Sequence, residues 1–401
     1  MTNSPRPDSP RPIAGVLVTF NRKDECLAAV RAAADSARAA GVALHLAVID
    51  NRSTDGTADT LDEAIGLDTR WAGGSADAEA ARFERTAAGS GNRIGLAALH
   101  LVRTPDNLGG CGGYNTGLAF VREVLTTHGC ELVWMLDDDG QATPGTLSEL
   151  LRVIDADNDK TIAAAGIRMV ALDDPARTLE STVYFNPRTG RFDPVPHESD
   201  PRRADHAQWL ETVGSEVGTS DRYTGVRDVD ITAAAGSVVR WRAVERVGYW
   251  DPRYFIAGDD AEWCLRARRV GWRIVCCLDA VYRHPPWSEK VSPQREYYRR
   301  RNLFWLWQRM FDEAELRAKW RELCDRAFAD AEREWQAKMR KRARLRLLAV
   351  EHALSNRGGK LIEPKDPPTE QEFTAHLASV RQQAQQACAS VTPERTPATG
   401  P

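Results

Sequence analysis

Residues 13–20 (IAGVLVTF), 42–50 (VALHLAVID) and 131–136 (ELVWML) are apolar runs of strand length, and they constrain the fold more than any other feature. A strand with one wet face alternates apolar and polar residues, whereas an unbroken apolar run needs cover on both faces. The interior of a parallel sheet supplies that cover. Between the first two runs lies RKDECLAAVRAAADSARAA, helical in composition and closed by Gly41. After the second run, the polar turn and short helix of NRSTDGTADTLDEAI follow. Strand, helix and strand in succession predict βαβ units with right-handed crossovers, hence an α/β fold. The second run ends on Asp50 and the third on Asp137, Asp138 and Asp139. In open α/β sheets ligands collect outside such strand ends.

The pattern continues along the chain. LAALHLVRT resumes the sheet, NLGGCGGYNTG reads as a loop, and LAFVREVLTTHG reads as a helix. Residues 68–93, rich in Ala, Gly and charge without a clear period, read as an inserted excursion. A helix from Pro144 and a strand at TIAAAGIRMV come next. Order weakens over 173–227, where STVYFNPRTGRFDPV predicts a hairpin turning at Thr189 and Gly190. DITAAAGSVVRW and RIVCCLDAVYRH predict strands on either side of a helix at GDDAEWCLRARRVGW. From Gln294, QREYYRRRNLFWLWQRMF mixes arginines with bulky aromatics, and basic helices follow to about Lys360.

Bulk composition sets wide bounds. With 401 residues, 42% of them hydrophobic, the chain can bury a sizeable core. Lys and Arg number 54 against 57 Asp and Glu, so overall charge does not select a nucleic-acid partner. The eight cysteines form no C-x-x-C, and reduced thiols of a cytosolic protein are expected. MTNSPRPDSPRP has no apolar core of a signal peptide, and no apolar stretch reaches the length of a membrane span. The expectation is a soluble protein, or one that lies on a membrane.

Four constellations carry chemistry, each with an ordinary structural alternative. The aspartate run either forms a solvated turn ahead of Pro144 or holds Mg²⁺ or Mn²⁺, which in turn neutralises a diphosphate. The glycines of NLGGCGGYNTG fit neither the dinucleotide nor the Walker spacing; they make a flexible turn or offer N–H groups to an anion. Asp259 and Asp260 open a helix, where acids cap well, but one of two could serve as a general base. In YRHPPW, His284 is either a structural histidine or the completion of a metal site. Trp287 packs in a core or over a sugar face.

Taken together and in order, VLVTFNR, VIDNRSTDGT, NLGGCGGYNTG, LDDDG, the segment from GSVVRW to RRVGW, and AVYRH resemble the family 2 glycosyltransferases. The resemblance implies the GT-A nucleotide-diphospho-sugar transferase fold, a Rossmann-like mixed sheet flanked by helices. It is closest to the galactofuranosyltransferases of the actinobacterial cell wall, through NLGGCGG, the triple aspartate, DDAEWCLRA and H-x-x-W. It implies inverting transfer from UDP-galactofuranose with Mn²⁺ or Mg²⁺ held by Asp137, Asp139 and His284. Asp260 then matches the catalytic base, with Asp259 holding acceptor hydroxyls. Thr19, Arg22, Asp50, Asn107, Gly109, Gly110, Gly112, Gly113 and Asp138 match the donor-binding positions, and Trp263 and Trp287 face acceptor or sugar.

The parts expected on this basis are a leader (1–12), a catalytic domain (13–293), basic and aromatic helices (294–365), and a weakly structured tail (366–401). Residues 295–311 either rest on an anionic membrane face, which suits a lipid-linked glycan acceptor, or pack on the core. The expected location is the cytoplasm or the inner face of the plasma membrane, with no nucleic-acid partner. The polymerising member of the family carries an N-terminal β-domain not seen here, and the Q-x-x-R-W box is absent; both favour an initiating or short-adding enzyme. A rhamnosyltransferase using dTDP-rhamnose shares the scaffold, and a non-catalytic glycan- or nucleotide-binding module is the remaining alternative.

Overall fold

The computed structural model describes residues 10–213, 223–286, 292–363 and 365–394. Packing divides them into two compact units. Residues up to Trp250 and from Trp263 to Pro286 form the first, and 251–262 with the C-terminal helices form the second.

The chain runs through β1 (Pro12–Thr19), α1 (Lys23–Ala40), β2 (Ala43–Asp50), α2 (Thr57–Ile65), β3 (Thr69–Gly73), β4 (Phe83–Ala88), β5 (Ala98–Arg103) and α3 (Gly109–Phe120). It continues through β6 (Leu132–Asp137), β7 (Gln141–Ala142), α4 (Thr146–Ala156), β8 (Ile162–Ala171), β9 (Thr178–Glu180), β10 (Tyr184–Asn186), β11 (Arg191–Asp193) and α5 (Arg203–Val213). Then come β12 (Val226–Val229), β13 (Val238–Arg240), α6 (Trp241–Val247), α7 (Asp259–Arg269) and β14 (Arg273–His284). The first turn of α7 belongs to the second unit.

The main sheet has 12 strands, ordered β12-β14-β8-β13-β6-β1-β2-β5-β3-β4, with β7 on β14 and β9 on β8. As the apolar runs require, β1 and β6 are buried along almost their whole length and β8 along all of it. β6, β1, β2 and β5 are parallel, in a register that sets Thr19 opposite Asp50 and Val18 opposite Asp137. Their polar ends therefore emerge side by side. β13 runs antiparallel to both β6 and β8, and β14 runs parallel to β8. Two reversals restore direction, so β14 delivers His284 to the edge where β6 delivers Asp137.

Three parts of the chain differ from expectation. The glycine segment is not a loop; it is the body of α3, which continues through a π turn at Val121–Leu125. Its glycines permit close approach: a Cβ on Gly113 would lie 2.4 Å from Val18 Cγ1, and one on Gly117 would lie 2.2 Å from Val16 Cγ1. The helix lies directly on β1 because these positions carry no side chain. Residues 68–93 extend the main sheet through β3 and β4. The period was invisible because β4 is exposed along nearly its whole length and is held by backbone pairing. The hairpin at Thr189 and Gly190 forms as β10 and β11.

The second unit adds α8 (Pro293–Met310), α9 (Glu313–Gln336), α10 (Arg340–Leu354) and α11 (Glu370–Ser390). α11 corrects the weakly structured tail: Thr369 and Glu372 form a reciprocal capping box, and Phe373 stacks on Trp335 with centroids 4.2 Å apart. Residues 251–262 fall with these helices because Arg309 pairs with both Asp251 (2.9 Å) and Glu262 (3.1 Å). The aromatics of α8 are interior: Trp305, Trp307 and Phe304 are buried, and Arg301 lies over Tyr297, Tyr298 and Trp305. They are not available to a membrane face, which removes that reading of 295–311. Among the described residues no helix is long and apolar enough to cross a membrane. All eight cysteines are buried and free.

The glycines of α3 should separate sharply on substitution. Gly117→Ala forces a methyl into β1 and is expected to cost about 1–3 kcal/mol. Gly110→Ala meets nothing within 4 Å in a helical backbone and should be neutral or stabilising by up to about 1 kcal/mol. Urea unfolding midpoints of the two variants check the contrast.

Candidate active site

Asp138 and Asp139 follow the end of β6 and are buried, so the aspartate run is not a solvated turn. Buried carboxylates need positive partners or donors. Arg22, at the N-terminus of α1, supplies one: its Nη1 donates to Asp138 Oδ1 at 3.2 Å and also to Asp139 Oδ2. The Phe20 N–H donates to Asp138 Oδ2 at 3.2 Å. Burial, with Asp139 and Asp137 adding to it, still pushes the Asp138 carboxyl up to about 7 against the pull of Arg22. Burial also opposes charge on Arg22, but Asp138 and Asp139 outweigh it and hold the guanidinium above its ordinary value.

His284 is fully buried. Its Nδ1 lies 2.6 Å from the Pro285 carbonyl, which can only accept, so Nδ1 carries the proton. Its Nε2 lies 3.2 Å from Asp139 Oδ1. Two electron pairs at that separation call for a proton or a cation between them. Ligand atoms of Asp137, Asp139 and His284 all lie within 4.8 Å of one another. Two carboxylates with one imidazole form a donor set that fits Mn²⁺ or Mg²⁺.

Backbone stitching brings these residues together. β7 pairs with Tyr282 and Arg283 of β14, and Thr146 Oγ1 donates to the Val281 carbonyl at 2.5 Å. Gly140, directly after the aspartates, has no room for a side chain: a Cβ there would sit 2.2 Å from Tyr282 Cε1. On the other side, Tyr114 of α3 donates its hydroxyl proton to Asp137 Oδ1 at 2.5 Å.

The expected donor-binding residues line the ends of β1 and β2 and the start of α3. Thr19 and Asp50 are buried. Asp50 Oδ1 accepts from the Ser53 N–H at 2.7 Å, while Oδ2 is buried without a hydrogen-bond donor, 3.9 Å from Arg103 Nε. Asn107 Oδ1 accepts from the Gly109 N–H at 2.9 Å, and Asn51 Nδ2 donates to the Gly109 carbonyl at 3.0 Å. Gly112 packs on Leu108 and Ala76, whereas Gly110 stands open.

In the second unit, Asp259 and Asp260 occupy the first turn of α7, Asp259 buried and Asp260 accepting from the Ala261 N–H at 2.7 Å. Ala257 (φ 74°) and Gly258 (φ 84°) turn the chain into that helix through left-handed backbone. The buried Asn302 amide holds the turn by donating to the carbonyls of Ile256 (2.9 Å) and Ala257 (2.8 Å). A non-glycine residue in this region is strained, and such strain persists only where neighbours over-determine it.

Two aromatic positions fare differently. Trp263 is 1% exposed, donates to the Gly248 carbonyl at 2.8 Å, and stacks on Trp250 at 5.1 Å. It is a core residue and cannot present its ring to a sugar, which corrects its expected role. Trp287 lies outside the described residues. Sequence reasoning missed Tyr114, Gly140 and Asn302. Gly140 had a visible signal, a glycine directly after a carboxylate run; Tyr114 and Asn302 had none. A second group that could hold a cation, Glu149, Cys277 and Asp279, has Arg152 bridging its carboxylates at 2.8 and 3.3 Å.

Removing the compensating charge should be costly. Arg22→Met leaves Asp138 and Asp139 without their guanidinium. Because Arg22 is partly exposed, a loss of about 1–3 kcal/mol is expected rather than the larger value of a fully buried pair. Urea unfolding in chelator-treated samples measures it.

The family model described as "Glycosyltransferase like family 2" matches residues 77–307. The galactofuranosyltransferase GlfT1 of Mycobacterium tuberculosis (strain ATCC 25618 / H37Rv) is 28% identical over 187 residues, 47% of this chain and 52% of the relative. GlfT1 of Mycolicibacterium smegmatis is 26% identical over 190 residues, 47% of this chain and 53% of the relative. The chain thus spans about half the length of the curated relatives it matches. Among solved structures, S. aureus TarS 1-349 is 14% identical, with a TM-score of 0.47, over 95% of this chain and 90% of that one. GalNAc-T7 with UDP, GalNAc and Mn²⁺ is 13% identical, with a TM-score of 0.46, over 70% and 44%. The family match covers more than half of the 401 residues, so the chain belongs to the family 2 glycosyltransferases, and its mixed, helix-flanked sheet is their GT-A arrangement.

Proposed function

We propose that this chain is an inverting, metal-dependent transferase that moves galactofuranose from UDP-galactofuranose to a lipid-linked cell-wall glycan on the cytoplasmic side. The observation that carries the metal-dependent part is the approach of Asp137, Asp139 and His284, delivered by β6 and β14, to within 4.8 Å. Support for the donor is the name of the curated relatives and the resemblance of the motifs. The acceptor class has the resemblance alone behind it, since the aromatics of α8 are interior.

Asp137, Asp139 and His284 would hold a divalent cation, which would supply positive charge against the leaving diphosphate. The other roles belong to side chains. Asp50 Oδ2, a buried acceptor without a donor, suits an N–H of the base. Thr19, Asn107 and the N-terminal glycines of α3 take the rest of the nucleotide, with backbone N–H groups of a helix start facing phosphate. Arg22, paired with Asp138 and Asp139, adds positive charge beside the cation ligands. Asp260 accepts the proton of the attacking hydroxyl while Asp259 orients the acceptor. One displacement inverts the anomeric centre, so no covalent glycosyl-enzyme forms.

Purified protein with Mn²⁺ and a donor panel tests this reading. UDP release is expected from UDP-galactofuranose and not from the pyranose form, and turnover of dTDP-rhamnose instead would replace the donor. Asp260→Asn should lower kcat by about 10²–10⁴ with donor affinity unchanged. A variant of undiminished rate removes the base assignment.

A further inference from the structure

We propose that Tyr114 is a positioning residue for the cation-facing carboxylate of Asp137, and that the glycines of α3 exist in part to put it there. The inference rests on the cation site proposed above. The Tyr114 hydroxyl lies 2.5 Å from Asp137 Oδ1 and 3.1 Å from the Leu136 carbonyl. A phenol has one proton to give, and an ionised carboxylate is the stronger acceptor, with a distance in the range of charge-assisted O–H···O⁻ bonds. Tyr114 itself is buried, and its ring lies 6.4 Å from that of Trp250, nearly parallel to it.

The reach of this side chain depends on helix height above the sheet. Asp137 ends β6, whose neighbour is β1, and α3 lies on β1 through Gly113 and Gly117. With a side chain at either glycine, α3 would ride higher over Val18 and Val16, and the phenol would lift away from Asp137. Tyr114 is flanked by one of these contacts at Gly113. The sequence thus couples two glycines, a tyrosine and a carboxylate that lie on different elements.

A carboxylate that binds a cation loses freedom in doing so, and a partner that already fixes its rotamer removes part of that loss. Outer partners of this kind typically change metal affinity by about 10–100-fold when removed. Tyr114→Phe keeps the ring and its packing and deletes only the hydroxyl. With full-length protein and Mn²⁺ as the probe, followed by the electron paramagnetic resonance of free ion, Tyr114→Phe is expected to weaken binding about tenfold. Gly113→Ala, which keeps the tyrosine but lifts α3 off β1, should weaken it too. A tyrosine with only a packing role would leave the Mn²⁺ affinity of Tyr114→Phe within twofold of the parent, and that result overturns the proposal. Asp137→Ala separates this from failure of the site itself: if the parent binds Mn²⁺ no better than Asp137→Ala, the cation site is wrong; if it does and Tyr114→Phe matches the parent, only the role of Tyr114 is wrong.

Discussion

Carboxylates packed against one another at the end of a buried strand repel, and the first unit is arranged around relieving that repulsion. The relief comes from several directions at once. Arg22 reaches in from the start of α1, Tyr114 from α3, and the Phe20 N–H from the end of β1. None of these partners is near Asp137 in sequence; Phe20 and Arg22 sit where β1 gives way to α1, and Tyr114 on the helix that lies over β1. A parallel sheet makes this possible, because its strands release their C-termini side by side.

The glycine-rich helix shows how packing and chemistry share residues. Gly113 and Gly117 are spaced one helical turn apart on the face that meets β1, and their missing side chains set the distance between helix and sheet. Gly110 has open space around it and no such duty. Glycines in one short stretch therefore answer to different constraints: steric at 113 and 117, backbone exposure at 110. The left-handed backbone at Gly109, φ 75°, turns the chain into the helix and uses the Asn107 side chain as its brace.

Much of the sheet was legible because burial on both faces leaves an unmistakable apolar run, as in β1, β2, β6 and β8. The acidic strand end and the AVYRH segment were legible as individual motifs. Their meeting follows from two direction reversals around β13, which no local pattern encodes. The glycine helix was misread because helix propensity counts glycine against a helix, whereas tertiary contact with Val16 and Val18 decided the matter. Trp263 was misread in the same way, and the aromatics of α8 stayed open between membrane and core: a large ring beside charges looks available until its neighbours are known. The edge pair β3–β4 was hidden because an exposed strand needs no apolar signature, and α11 because its signal was a Thr–Glu cap and a narrow apolar stripe.

Gly140 leaves no room for even a methyl group between itself and the Tyr282 ring, and the turn that follows the aspartates packs closely on the strand that ends in His284. This single achiral residue acts as a spacer of zero thickness. An alanine there would press on the Tyr282 ring, two residues before His284 on the same strand. Divergence within the fold is then free to remodel loops, sheet edges and terminal helices, but a chain that keeps Asp139 against His284 must keep this contact closed.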